Sequence, residues 1–104
     1  MHPVKRIEII STEIEMDKIL DILDKLEVPG YTFIPNVQGK SRRGTVDDDL
    51  VMSKLGNAYV ICCCPPEQVK PIVEKIKPLL NKFGGVCYIS DAMEIRSLKC
   101  VASL

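Results

Sequence analysis

Leu23 to Pro35 reads LDKLEVPGYTFIP, and Leu80 to Ser90 reads LNKFGGVCYIS. Each is the end of an apolar-periodic helix, a glycine break, and a strand that carries an aromatic residue. The same junction occurring twice, with room for a strand ahead of each helix, sets the order strand-helix-strand followed by strand-helix-strand.

The flanks agree with that order. Val4 to Ile10 (VKRIEII) alternates as a strand, with Lys5, Ile7 and Ile9 on one face and Val4, Arg6, Glu8 and Ile10 on the other. Ser11 or Thr12 can cap the next helix, whose first turn holds Glu13 and Glu15. Met16, Ile19, Leu20, Leu23 and Leu26 then form its apolar stripe, Asp17, Lys18, Asp21, Asp24 and Lys25 its wet face, and Pro29-Gly30 its stop. Tyr31 to Val37 (YTFIPNV) is rich in β-formers, but Pro35 cannot donate to a ladder, so this strand is expected at an edge or bulged. Asn57 to Cys64 (NAYVICCC) reads as a buried strand. Pro65-Pro66 opens the second helix, with a stripe of Val69, Ile72, Val73, Ile76, Leu80 and Phe83. Pro71 fits the first turn, whereas Pro78 is expected to bend or distort the helix. Gly84-Gly85 ends it, and Val86 to Ser90 is the last clear strand. Asp91 and Glu94 follow as capping or ion-pairing groups, and the tail from Met93 to Leu104 reads as a short strand or an ordered arm.

The expectation is one α+β domain over residues 1–104, a ferredoxin-like βαββαβ fold. It has a four-stranded antiparallel sheet, two helices on one face, and a long loop, residues 38–56, between strands 2 and 3. The other sheet face is left bare, and self-association is the simplest cover in a chain this small.

Composition narrows the function. The 104 residues are 46% hydrophobic, enough for a core, and 14 basic residues balance 14 acidic ones. With zero net charge, 5% aromatics and no Trp, a nucleic-acid partner is not expected. No apolar run spans a bilayer and no signal core precedes the first strand, so a cytoplasmic protein is expected. Cys62, Cys63, Cys64, Cys87 and Cys100 are odd in number, with three adjacent, which suits a reducing compartment rather than a disulfide framework; Cys62 to Cys64 read as buried core thiols, and Cys100, near the tail, as the one candidate for an exposed redox thiol. His2 is the sole histidine, so no Ser-His or Cys-His pair is scaffolded and the chain does not read as an enzyme. No metal set is expected either.

The long loop carries the chemistry. Gly39 lets backbone approach a ligand, and Lys40, Arg42 and Arg43 place three cations within four residues, where Arg suits phosphate in a bidentate grip. Asp47, Asp48 and Asp49 can pair with these cations until a phosphate displaces them, since exposed pairs are worth only about 0–1 kcal/mol.

The segment Gly30 to Gly44, GYTFIPNVQGKSRRG, resembles the PII superfamily of signalling proteins, in which a Gly-x-Thr strand runs into a Val-x-Gly-x-Gly-Arg turn and a long loop. Gly30 and Thr32 match the strand; Val37, Gly39, Ser41 and Arg42 match the turn, with Ser in place of the second glycine. The resemblance implies a homotrimer that binds an adenine nucleotide in each cleft between subunits and regulates a partner through a mobile loop. It places Thr32, Gly39, Lys40, Ser41, Arg42 and Arg43 beside the nucleotide, and Gly84 and Gly85 in the phosphate-side turn of the neighbouring subunit. That turn is only KFGG, Lys82 to Gly85, which favours AMP, ADP or cyclic AMP over ATP. No Tyr lies between Thr45 and Leu55, so the family's uridylylation site is missing. The short turn and GKSRRG loop are closer to the PII-like proteins of inorganic carbon metabolism, which implies bicarbonate as a second ligand and a bicarbonate transporter among the candidate partners. The alternative on the same fold plan is a metal-binding trimer using the cysteines, similar to the divalent-cation-tolerance (CutA-like) proteins, although those are rich in Trp. An amino-acid-binding ACT-like module fits the cationic loop less well.

Overall fold

The structure is a computed structural model that describes residues 1–39 and 56–97. Strand β1 (His2–Thr12) leads into helix α1 (Glu13–Lys25) and strand β2 (Tyr31–Val37). Strand β3 (Asn57–Cys64), a short turn of 3-10 helix (Pro66–Gln68), helix α2 (Val69–Phe83) and strand β4 (Val86–Glu94) complete the order. The strands form one antiparallel sheet in the order β2-β3-β1-β4. This is the expected βαββαβ arrangement.

The period-2 pattern decides which face is buried. Ile7 and Ile9 on β1 lie opposite Cys62 and Val60 on β3, and all four are sealed from solvent under the helices. Met16, Ile19 and Leu23 of α1 and Ile72 and Ile76 of α2 close the layer above them. Each such side chain contributes roughly 1.5–3 kcal/mol by leaving water.

Helix α1 starts where Thr12 accepts a hydrogen bond from the Glu15 N–H, at 3.4 Å. It stops earlier than Pro29-Gly30. Glu27 adopts a left-handed φ of 55°. Its N–H donates to the Asp24 carbonyl, and the Val28 N–H donates to that of Leu23. This is a Schellman closure with a glutamate where glycine usually sits.

Helix α2 runs through Pro78 to Phe83. Pro78 is exposed, and so is Glu74, whose carbonyl the proline ring leaves without a donor, so water can serve it.

β2 is an edge strand and also irregular: its register with β3 shifts between Ile34 and Val37, and Asn36 has a φ of 57°. Both consequences expected of Pro35 are therefore seen. β1 and β4 are longer than hydrophobic patterning suggests. Asp91 and Glu94 lie within β4 rather than beyond it; Asp91 pairs with Lys5 of β1 and Glu94 with Arg96.

Among the described residues no layer covers the second sheet face. Register places Thr32, Ile61, Glu8 and Tyr88 in one row across it, with Ile34, Tyr59, Ile10 and Val86 in the next. Tyr59 donates its hydroxyl to Glu8 at 2.6 Å, and Arg6 lies 3.5 Å from the same carboxylate.

Candidate functional site

β2 and β3 deliver the two stems of the long loop to one end of the sheet, beside the start of α1. Val37 lies opposite Asn57, which lies opposite Thr12. Glu13, the first residue of α1, touches both stems. Its Oε1 accepts from the Asn36 N–H at 3.3 Å, and its own N–H donates to the Gly56 carbonyl at 3.4 Å. A Cβ added at Gly56 would fall 3.1 Å from its Oε2. As a sequence feature Glu13 is only a first-turn acid; its contact with two remote segments becomes visible once the sheet register is known.

Thr32 is exposed on β2, on the open-face row with Ile61. Gly39 is exposed, two residues past the end of β2, with open space where a Cβ would be. Lys40, Ser41, Arg42 and Arg43 lie outside the described residues, as do Asp47, Asp48, Asp49 and Cys100.

Gly84 and Gly85 end α2 and start β4, at the far edge of the sheet. Three strand spacings separate β2 from β4, about 14 Å. Within one chain the glycine turn therefore does not meet Thr32 and Gly39. Both glycines have positive φ, 90° and 122°. Gly85 also lines a cavity of about 310 Å³ between α2 and β4, with Lys77, Asn81 and Cys87. A second cavity, about 320 Å³, opens at the other end of the sheet beside His2, Cys63, Glu94 and Arg96 and holds none of the expected site residues.

The cysteines separate by face. Cys62 and Cys64 are buried beneath the helices, while Cys63 is half-buried on the opposite side. Burial pushes the Cys62 thiol up to about 12 and raises those of Cys64 and Cys87, so they persist as apolar thiols. Among the described residues no cluster of three or more His, Cys, Asp or Glu side chains is arranged to hold a metal ion.

Comparison with known proteins decides the family. The model for "Nitrogen regulatory protein P-II" matches residues 4–99. The chain belongs to the P-II family. Among solved structures, this P-II protein is similar to CPII of Thiomonas intermedia. One CPII structure, bound to ADP, AMP and acetate, is 28% identical, with 91% of each chain covered and a TM-score of 0.77. Another, bound to ADP and bicarbonate, is 30% identical, with 88% of this chain and 87% of that one covered and a TM-score of 0.73. The complex of B. subtilis GlnK with ATP, 16% identical, shares the fold over 88% of this chain and 84% of its own, with a TM-score of 0.61. No curated protein matches the sequence. The metal-trimer alternative of the divalent-cation-tolerance type finds no support. The family match is to P-II, and among the described residues Cys62 and Cys64 are buried core groups with Cys87 packed against that core.

Proposed function

We propose that this P-II protein is a nucleotide-sensing regulator, not an enzyme, that binds ADP or AMP in clefts between the subunits of a homotrimer. The observation that carries the reading is the likeness, over about nine-tenths of the chain, to CPII structures that hold ADP, AMP and bicarbonate. One subunit supplies Thr32, Gly39, Lys40, Ser41, Arg42 and Arg43, and its neighbour supplies Gly84 and Gly85. Of these, Thr32 lies on β2 and Gly84 and Gly85 at the start of β4, on opposite sheet edges, an arrangement that suits a site shared between copies. The open sheet face, with Tyr88 and Ile34 more than two-fifths exposed, gives the copies a surface to bury.

Guanidinium groups at Arg42 and Arg43 grip the phosphates, and Gly39 lets the backbone come close. Bicarbonate is the second ligand, and the loop over residues 38–56 carries the bound state to a regulated protein, of which a bicarbonate transporter is the leading candidate. The short KFGG turn favours the smaller nucleotides and cyclic AMP over ATP. The cytoplasm is the compartment that fits this role.

A thermal-shift series tests the reading. A nucleotide at about 100 times its Kd stabilises the folded state by roughly 2.7 kcal/mol. ADP or AMP is expected to raise the Tm of the wild type by several degrees and that of Arg42→Ala far less. A wild type indifferent to every adenine nucleotide contradicts the proposal.

A further inference from the structure

The N-terminus of α1 holds two glutamates with different surroundings. Thr12 and Glu15 stand three apart as a capping pair, and Thr12 accepts from the Glu15 N–H. Glu15 is buried and its Oε2 lies 3.2 Å from Lys18. Capping and local charge pairing at this helix end are thus served without Glu13.

Glu13 turns elsewhere. Its carboxylate reaches the Asn36 N–H, 23 residues away in sequence, while its backbone N–H holds the Gly56 carbonyl. Asn36 lies in the left-handed region, at the point where β2 leaves its register with β3. Such a conformation costs free energy in a non-glycine residue and persists where a partner fixes it. Gly56, at φ 71°, brings its backbone against the Glu13 carboxylate, with only 3.1 Å to spare for a Cβ. One residue therefore ties together the two backbone segments, its carboxylate holding Asn36 and its backbone N–H holding Gly56.

We propose that Glu13 is a positioning residue for the nucleotide site: its carboxylate, by holding the Asn36 N–H, sets the course of β2 toward Gly39. The inference rests on the nucleotide-site reading given above. The agent is the acceptor oxygen, not the negative charge, because a carboxylate near a phosphate site repels the ligand if it acts by charge at all.

The test is isothermal titration of ADP into wild type, Glu13→Gln and Glu13→Ala, with the backbone amide resonance of Asn36 followed by NMR in all three. Gln keeps an oxygen at the acceptor position and is expected to bind ADP within about twofold of wild type. Ala is expected to weaken binding on the order of tenfold, the scale of one hydrogen bond. The Asn36 amide resonance should move markedly in Ala and little in Gln. Should Ala fail to fold, Glu13→Met, which keeps the side-chain length without the oxygen, takes its place. Wild-type-like affinity in Gln beside a loss in the oxygen-free variant would support the inference, whereas a Gln loss on the order of tenfold would overturn it. ADP binding to wild type with equal affinity in Ala overturns the positioning role alone. Equal losses in Ala and Gln overturn it too, by assigning the effect to charge. No binding of ADP to wild type overturns the site reading and the inference with it.

Discussion

The carbonyl oxygen of Ile10 lies so close to the backbone of Gly85 that a Cβ added there would sit 2.6 Å from it. The Leu80 side chain would lie 3.0 Å from the same Cβ, and φ is +122°. The turn between α2 and β4 is thus built around a missing side chain, where β4 docks on β1. Gly85→Ala is expected to cost about 2–3 kcal/mol from backbone strain and the contact it forces. Gly84 has open space around it but a backbone, φ 90° and ψ 168°, that glycine alone adopts readily, so Gly84→Ala should cost about 1–2 kcal/mol, less than Gly85→Ala because no contact is added. Urea midpoints for the two variants check the order. Equal midpoints would show that the Ile10 contact does not limit the turn.

At the end of α1, Glu27 holds the left-handed conformation that glycine adopts without strain. Replacing it by glycine relieves roughly 1–2 kcal/mol of steric cost but adds about 0.5–1 kcal/mol of backbone entropy. Glu27→Gly should therefore raise stability by about 0.5 kcal/mol, read as a higher urea midpoint. A lower midpoint would mean that the Glu27 side chain does something for the fold beyond closing the helix.

The Cys62 thiol gives a pH signature. Its value in the folded protein is about 12, against an ordinary 9.0, because burial disfavours the thiolate. Below about pH 9 the thiol is neutral in both states and its stabilising contribution is complete. As pH rises from about 9 toward 12, the unfolded chain ionises first, so stability falls across that window. Urea unfolding from pH 8 to 10.5 should show this decline, with a shallower slope in Cys62→Ala. The same slope in both would place the alkaline loss elsewhere. In native protein at pH 8, Cys62 should also resist a thiol reagent until denaturant is added.

Tyr88 is 58% exposed on the open sheet face, opposite Glu8 in the register. If that face is buried between three copies, Tyr88→Glu sets a second carboxylate beside Glu8 inside the interface, while the helix-covered core stays intact. Light scattering should then give three times the 11.6 kDa chain for wild type and a folded monomer for the variant. A wild-type monomer would remove the trimer, and a trimeric variant would move the interface to another surface.

Much of this fold is legible in the sequence, and the exceptions have physical causes. Period-2 alternation at Ile7 and Ile9 and the helical stripe Met16-Ile19-Leu23 are one-dimensional records of burial, and the structure buries those side chains. Pro35 announces an edge because a missing N–H is a local property. The extent of β4 to Glu94 is not written that way. Asp91 and Glu94 are polar residues held in a strand by pairing with β1, and the Lys5–Asp91 contact spans 86 positions. The end of α1 at Glu27 was hidden for a related reason: the closure uses backbone hydrogen bonds, which any residue can make. For the site, the cationic GKSRRG run stands out by type and spacing, and Thr32 only through the resemblance of the Gly-x-Thr strand start to the PII motif. Glu13 does not, since its role depends on a register shift between β2 and β3. The assignment of Gly84 and Gly85 to a neighbouring subunit comes from the family resemblance, and the sheet order, which puts them and Thr32 at opposite edges, is compatible with it.

The most direct test of the central claim is isothermal titration of ADP into the purified chain, with and without bicarbonate, beside the Arg42→Ala variant. The account predicts saturable binding at one ADP per chain, altered by bicarbonate and strongly weakened in the variant. No saturable binding of ADP or AMP, in either buffer, would contradict it.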